Sequence, residues 1–213
     1  MDAEISLPDG ILLRSIRDTD AAALAEAYCA ERTHLEPWEP RRDERFFTAI
    51  RQRELIGREL DAAASGTALG LVLVSGEQVV GRVTLSGIVR GPFRSANLGY
   101  WIAAGRTGRG LMTAAVDAVA QMASDARGLH RLQAATLLRN ARSQAVLRRC
   151  GFTEIGVAQE YLNIDGRWQD HLLFPRILTP PAARATPPRR RAATPRPSRY
   201  AAGGADRDGW HAA

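Results

Sequence analysis

The sequence contains no lysine: all 29 of its basic residues are arginine. With its many alanines, this marks a GC-rich coding bias, so an isolated arginine carries little functional weight. Cysteine is nearly as scarce, with only Cys29 and Cys150 present. Two cysteines without motif spacing exclude a disulfide-stapled scaffold and a thiolate metal site, and read as buried free thiols in a reducing compartment. Four scattered histidines, His34, His130, His171 and His211, give no ligand set, so no metal is expected. No uncharged run approaches the roughly 20 residues of a membrane-spanning helix. The longest candidate, from Gly66 to Gly76, is too short. The acidic opening Met1-Asp2-Ala3-Glu4 lacks the basic and apolar regions of a signal peptide. A cytoplasmic protein without membrane contact is expected.

Acidic residues are outnumbered, giving a net charge of +6, but unevenly. Residues 179–213 hold seven arginines against two aspartates, six prolines, the run Arg189-Arg190-Arg191 and Gly203-Gly204. Such a composition cannot bury a core, so this segment reads as a disordered, basic Pro/Arg/Ala-rich tail. Residues 1–178 are then nearly neutral, which argues against a charged nucleic-acid reader. Contact with nucleic acid is left to the tail. Those residues are enough for one domain with a real core.

What the domain does have is an order of elements centred on residues 98–113. Leu98-Gly99-Tyr100-Trp101-Ile102 is an apolar run fit for a buried strand. Gly105-Arg106-Thr107-Gly108-Arg109-Gly110 is a glycine loop. Leu111, Ala115, Val119 and Met122 then recur at helical spacing. Strand, glycine loop and helix together suit an anion. The first amides of a helix lack partners, the dipole is positive there, and glycines let a ligand approach the backbone. The spacing G-x-x-G-x-G fits neither the dinucleotide fingerprint nor the P-loop.

Around this centre the pattern predicts helices over Ala21–Ala30, Arg45–Ser65 (apolar at Phe46, Ile50, Leu55 and Leu60), Gly110–Arg127 and Asn140–Cys150. Asp18-Thr19-Asp20 reads as the cap of the first. Strands are predicted over Ile11–Arg17, Leu69–Val74, Val79–Leu85, Arg131–Thr136 and Phe152–Ala158. A last hairpin, Tyr161–Ile164 with Arg167–Phe174, turns at Asp165-Gly166. The strand at 131–136 follows a helical crossover and is expected to lie parallel to the central one. Pro37 and Pro40 bracket Trp38-Glu39 and forbid regular helix there.

The strand, the Arg106–Gly110 loop and the helix resemble motif A of the GNAT family, the acetyl-CoA-dependent N-acetyltransferases. His130-Arg131-Leu132, Asn140-x-x-Ser143, Val146-Leu147 and Cys150-Gly151-Phe152 resemble its motif B. Leu35-Glu36-Pro37-Trp38-Glu39-Pro40, Ile88–Phe93 and Ile164–His171 are similar to the RimJ/RimL-like branch, whose members acetylate the N-terminal alanine or serine of ribosomal proteins. The family's Gln or Arg, three places before the first paired glycine, falls here on Gly105.

The resemblance implies an α/β (α+β) fold: a central mixed, mostly antiparallel sheet with a splayed parallel pair, flanked by helices. It implies that Tyr100, Trp101 and Ile102 line the pantetheine arm of acetyl-CoA. Arg106, Thr107, Gly108, Arg109, Gly110, Leu111 and Met112 would hold the pyrophosphate, and Asn140 and Ser143 would face the arm or the acetyl group. Many members carry a tyrosine on the motif B helix that protonates the departing thiolate. Spacing puts Leu147 there, and Ser143 is the alternative. The glutamate that often precedes the strand in the RimL-like branch is Asn97. Glu39 and Asp170 are then the candidate bases, Glu39 preferred and Asp170-His171 read as orienting the last hairpin.

The expected reaction is direct transfer of acetyl from acetyl-CoA to a primary amine, the N-terminus of a ribosomal or other protein. A small-molecule amine (antibiotic, polyamine or amino acid) and a non-catalytic acyl-CoA-binding protein are the alternatives. Monomer and homodimer both stay open.

Overall fold

In the computed structural model, which describes residues 4–178, the run Leu69-Gly70-Leu71-Val72-Leu73-Val74 shows no polar alternation because both of its faces are covered. The elements in chain order are β1 (Glu4–Ser6), β2 (Leu12–Ser15), α1 (Ala21–Ala30), α2 (Arg32–Leu35), α3 (Ala49–Ala64), β3 (Leu69–Ser75), β4 (Gln78–Val89) and β5 (Ser95–Ile102). There follow α4 (Leu111–Asp125), β6 (Arg131–Leu137), α5 (Ala141–Arg149), β7 (Gly156–Ile164) and β8 (Arg167–Ile177). The strands form one sheet in the order β1-β2-β3-β4-β5-β6-β8-β7. Leu71 and Leu73 enter a core shared with α4 and α5, while Val72 and Val74 enter a second core shared with α1 and α3. The sheet is therefore a middle layer, and a strand buried on both faces reads as continuous apolar sequence.

All neighbouring strands run antiparallel except β5 and β6. That parallel pair is joined only at Ser95↔Arg131, Ala96↔Leu132 and Asn97↔Gln133. Both strands continue, to Ile102 and to Leu137, without pairing each other. The expected splay is thus present, and it places the strand edges from Leu98 and from Ala134 onward at an opening inside the sheet.

Several expectations from sequence are corrected. β1 was not anticipated. It pairs outside β2, which is shorter than predicted. Asp18–Asp20 forms a 3₁₀ turn rather than a side-chain cap. The Asp20 carboxylate instead takes hydrogen bonds from the Arg14 guanidinium at 2.7 and 2.8 Å and from the Arg17 amide at 2.8 Å. Burial alone pushes this carboxyl up, but those donors outweigh it and hold it below the usual carboxylate range.

The helix predicted from Arg45 breaks at Thr48, whose hydroxyl accepts from the Arg51 amide at 3.2 Å to start α3. Its inward face carries Gln52 and Ile56, and Ile50 is 73% exposed. Gln52 is tolerated in the core because its Nε2 donates to the Phe46 carbonyl at 2.6 Å. The strand expected from Phe152 begins at Gly156. Phe152 is a buried plug, and only isolated bonds such as Thr153 N to Pro175 O, 2.9 Å, run alongside β8 there.

Both cysteines are free, but Cys29 is exposed, not buried. Burial pushes the Cys150 thiol up to about 12, so it packs as an inert apolar group. Among the described residues no helix is long and apolar enough to cross a membrane. The expected tail, residues 179–213, lies outside the described residues.

Candidate active site

The opening between β5 and β6 leads into a cavity of about 980 Å³, at the upper end of the range for small-ligand sites. One wall is the splayed strands themselves, Leu98 to Ile102 and Ala134 to Leu137. The edges of two strands that stop pairing present unpartnered N–H and C=O groups, so this wall suits an extended ligand that carries amides of its own.

At one end lie Arg106, Thr107, Gly108, Gly110, Leu111 and Met112. Gly110 is the N-cap of α4 in a left-handed conformation (φ 76°, ψ −4°), and Gly108 also has positive φ, 75°. A Cβ on either would meet nothing within 4 Å: the backbone faces open space, where a ligand can lie against it. The first bond of α4 runs from Ala114 N to Gly110 O at 2.9 Å. The amides of Leu111, Met112 and Thr113 precede it and have no intrahelical partner. Open glycine backbone, a 15-residue helix pointing its positive end inward and Arg106 beside it fit the pyrophosphate of coenzyme A.

The loop is braced from behind. Arg106 donates to Ser75 Oγ at 3.2 Å, and the Ala104 amide to Glu31 Oε2 at 2.9 Å. Arg109 is the exception among the expected loop residues: it does not line the cavity, and its guanidinium pairs with Asp9 at 3.7 Å. A β-branched residue at position 110 is strained by about 1–3 kcal/mol and puts its side chain where the ligand lies. Gly110→Val is therefore expected to raise KM for acetyl-CoA tenfold or more, a shift that initial-rate measurements at varied acetyl-CoA will read.

At the other end lie His34, Leu35, Trp38 and Glu39, with Leu162, Ile164 and His171 of the last hairpin opposite. The prolines do what the sequence implies: Glu36–Trp38 is one 3₁₀ turn, and Glu39 leaves it extended. Arg139 holds this turn in place. It donates to Pro37 O at 2.9 Å and to Gln169 Oε1 at 2.7 Å, and stacks over the Trp38 ring at 5.5 Å. The Asp165 amide adds a bond to Glu39 O at 3.3 Å. The Glu39 side chain is only 21% exposed and lies 3.7 Å from Arg42. Burial pushes its carboxyl up, with Arg42 and Arg82 pulling the other way.

Asp170, the other candidate base, accepts from the Glu160 amide at 2.9 Å. It does not line the cavity. Glu160 has φ 45° at the irregularity of the β7–β8 pairing, so Asp170 serves the hairpin. His171 is buried, with Nδ1 2.8 Å from the Gln169 carbonyl.

Between the two ends stands the start of α5. Asn140 is its N-cap, with Oδ1 accepting from the Ser143 amide at 3.1 Å. Both residues line the cavity, but the Asn140 carbonyl oxygen is already engaged by that cap. Ser143 Oγ is 2.8 Å from the Tyr100 phenol oxygen. Sequence reasoning placed Tyr100 in the strand for its backbone and missed that its hydroxyl reaches α5. It missed Arg139 altogether.

A family model described as an acetyltransferase (GNAT) domain matches residues 11–153. The chain belongs to the GNAT family. Within it, the chain falls in the RimJ/RimL-like group, and it is an acetyl-CoA-dependent N-acetyltransferase. The [Ribosomal protein uS5]-alanine N-acetyltransferase of Escherichia coli (strain K12) is 35% identical over 167 residues, spanning 78% of this chain and 86% of that one. Among solved structures, the ribosomal-protein-S5-alanine acetyltransferase of Vibrio fischeri superposes with a TM-score of 0.80 at 32% identity, covering 83% of this chain and 97% of that one. Mycobacterium smegmatis RimJ, solved in complex with CoA-disulfide, gives 0.77 at 35% identity, over 83% and 86% of the two chains. This GNAT enzyme thus has its splayed strands and its glycine loop lining one cavity.

Proposed function

We propose that the acceptor is a protein N-terminus beginning with alanine or serine, that of a ribosomal protein, acetylated in the cytoplasm. The observation that carries this reading is Glu39. Among the described residues it is the one carboxylate lining the cavity, at the end away from the glycine loop, near Trp38, Leu35, Leu162 and Ile164. One carboxylate in a partly apolar end of the cavity suits a single ammonium group with a small side chain beside it. Polyamines and aminoglycosides carry several charges and call for several acids. The names of the relatives, two of them uS5- or S5-alanine acetyltransferases, support the same choice.

The roles follow from position. An α-amine has a pKa near 8 and must lose a proton before or during attack. Glu39 takes it, through one water, as general base. Acetyl-CoA supplies the activated acetyl group as a thioester. Backbone amides of the splayed β5 edge polarise its carbonyl, in the manner of an oxyanion hole. Ser143 stands at the sulfur. Tyr100, Trp101, Ile102 and Asn140 line the pantetheine arm. Arg106, Thr107, Gly108, Gly110, Leu111 and Met112 hold the pyrophosphate.

A thiol-release assay with acetyl-CoA tests the acceptor. Peptides starting with Ala or Ser are expected to turn over at least tenfold faster, in kcat/KM, than a Met-starting peptide, spermidine or kanamycin. Turnover confined to a small amine overturns the protein-substrate reading and leaves the family assignment intact.

A further inference from the structure

The position on α5 that the family resemblance assigns to a tyrosine is Leu147 here, and it is fully buried. It offers no hydroxyl to the departing sulfur. A phenol nevertheless reaches this corner from across the cleft. β5 alternates its side chains, and Leu98, Tyr100 and Ile102 all face the α4–α5 side, while Trp101 faces the other core. The half-buried Tyr100 points at the first turn of α5. Its oxygen lies 2.8 Å from Ser143 Oγ and 3.1 Å from the Ser143 carbonyl oxygen.

We propose that Tyr100 is a positioning residue for the leaving group: its phenol donates to Ser143 Oγ and so aims the Ser143 hydroxyl proton at the sulfur. The inference rests on the reading of Ser143 as the group at the sulfur. A phenol has one proton. If it goes to the Ser143 carbonyl, the serine hydroxyl is free to point back at the phenol oxygen and away from the cavity. If it goes to Oγ, the nearer acceptor, the serine proton is turned away from the phenol and is free to face the cavity. Negative charge developing on sulfur selects the second arrangement, because hydrogen bonds in a chain polarise one another. Burial pushes the phenol well above its ordinary value. Tyr100 therefore stays a neutral donor throughout and is not itself the acid.

The step balances. The amine lone pair attacks the thioester carbonyl carbon and a C–N bond forms, with the carbonyl π pair moving onto oxygen. The pair returns, the C–S bond breaks, and its electrons leave on sulfur under the Ser143 hydrogen bond. The proton that nitrogen loses to Glu39 and its water equals the one that the thiolate takes up to become a thiol. Tyr100 and Ser143 end the turnover as they began.

The test is a double-mutant cycle in kcat and KM, run with acetyl-CoA and whichever amine the wild type acetylates fastest. It therefore does not depend on the protein-acceptor reading. Tyr100→Phe is expected to lower kcat about tenfold with KM for acetyl-CoA within twofold of wild type, and Ser143→Ala to lower kcat at least as much. Adding Tyr100→Phe to Ser143→Ala is expected to change nothing further. Ser143→Thr, which keeps a hydroxyl, is expected to remain sensitive to Tyr100→Phe. Equal losses from Tyr100→Phe in both backgrounds would mean that it acts by packing β5 to α5 through the Ser143 carbonyl, and would overturn the proposal while leaving Ser143 in its role. A wild-type kcat in Ser143→Ala would remove Ser143 from the sulfur and the proposal with it.

Discussion

Glu39→Gln is expected to lower kcat about 10²- to 10³-fold, the range of a lost general base, with little change in KM for acetyl-CoA. Glutamine keeps the shape and the backbone bond from Asp165 and removes only the capacity to take a proton. The pH dependence separates this role from a merely structural one. Burial raises the carboxyl, against the pull of Arg42 and Arg82. A base works only when ionised, so kcat at saturating acceptor should fall as pH drops through that raised value. This acid limb should lie above the ordinary glutamate value of about 4.3. It should vanish in Glu39→Gln. Stability runs in the opposite direction. A carboxyl that is harder to ionise folded than unfolded subtracts stability at neutral pH and returns it as pH falls. Glu39→Gln should therefore unfold at no lower temperature than the wild type at pH 7. An unaltered kcat, or an acid limb that survives the substitution, sinks the assignment.

The largest loss of stability is expected from Glu59→Ala. Glu59 of α3 and Arg82 of β4 form a largely buried ion pair, with side-chain exposures of 11% and 18%. The sequence makes room for it: a Cβ on Gly70 of β3 would overlap the Glu59 carboxylate. Removing the acid leaves a buried guanidinium with only Tyr28 and, farther off, Glu39 to offset it, and its Nε already lacks a partner. Breaking a buried pair in this way costs about 3–5 kcal/mol. At roughly 2–4 °C per kcal/mol for a domain of this size, the unfolding midpoint should drop by about 6–20 °C, measurable by calorimetry. The pair itself need not be stabilising. Glu59→Leu combined with Arg82→Met is expected to recover most of the loss, because both desolvated charges are gone. If Glu59→Ala unfolds at the wild-type temperature, the pair is solvated and the packing of α3 on β3 and β4 has been misjudged.

Legibility in the sequence followed the range of the physics involved. The α1 boundaries, the glycine loop, α4 and the Asp165-Gly166 hairpin rest on local signals, and they stand where the residues put them. The parallel relation of β5 and β6 followed from one topological rule and is present. What was not legible lies between elements far apart in the chain. Tyr100 and Ser143 are 43 residues apart, and Arg139 and Pro37 102. No periodicity encodes such meetings. Asp20 looked like a cap because short acids usually are one, but Arg14, across the first turn, claimed it. Phe152 looked like strand because it is apolar, yet a chain leaving a helix can bury one aromatic before it pairs with anything. Arg109 meets Asp9, a residue that belongs to no motif and lies 100 positions away.

The three-residue seam between β5 and β6 also has a mechanical meaning. Without a ligand, β1–β5 and β6–β8 are two panels joined at one end by three residue pairs and otherwise through the helices that cover them. An amide-bearing chain laid in the gap is a temporary strand that sews the panels together. A donor bound there would be a part of the scaffold for as long as it stayed, and its departure would reopen the middle of the sheet.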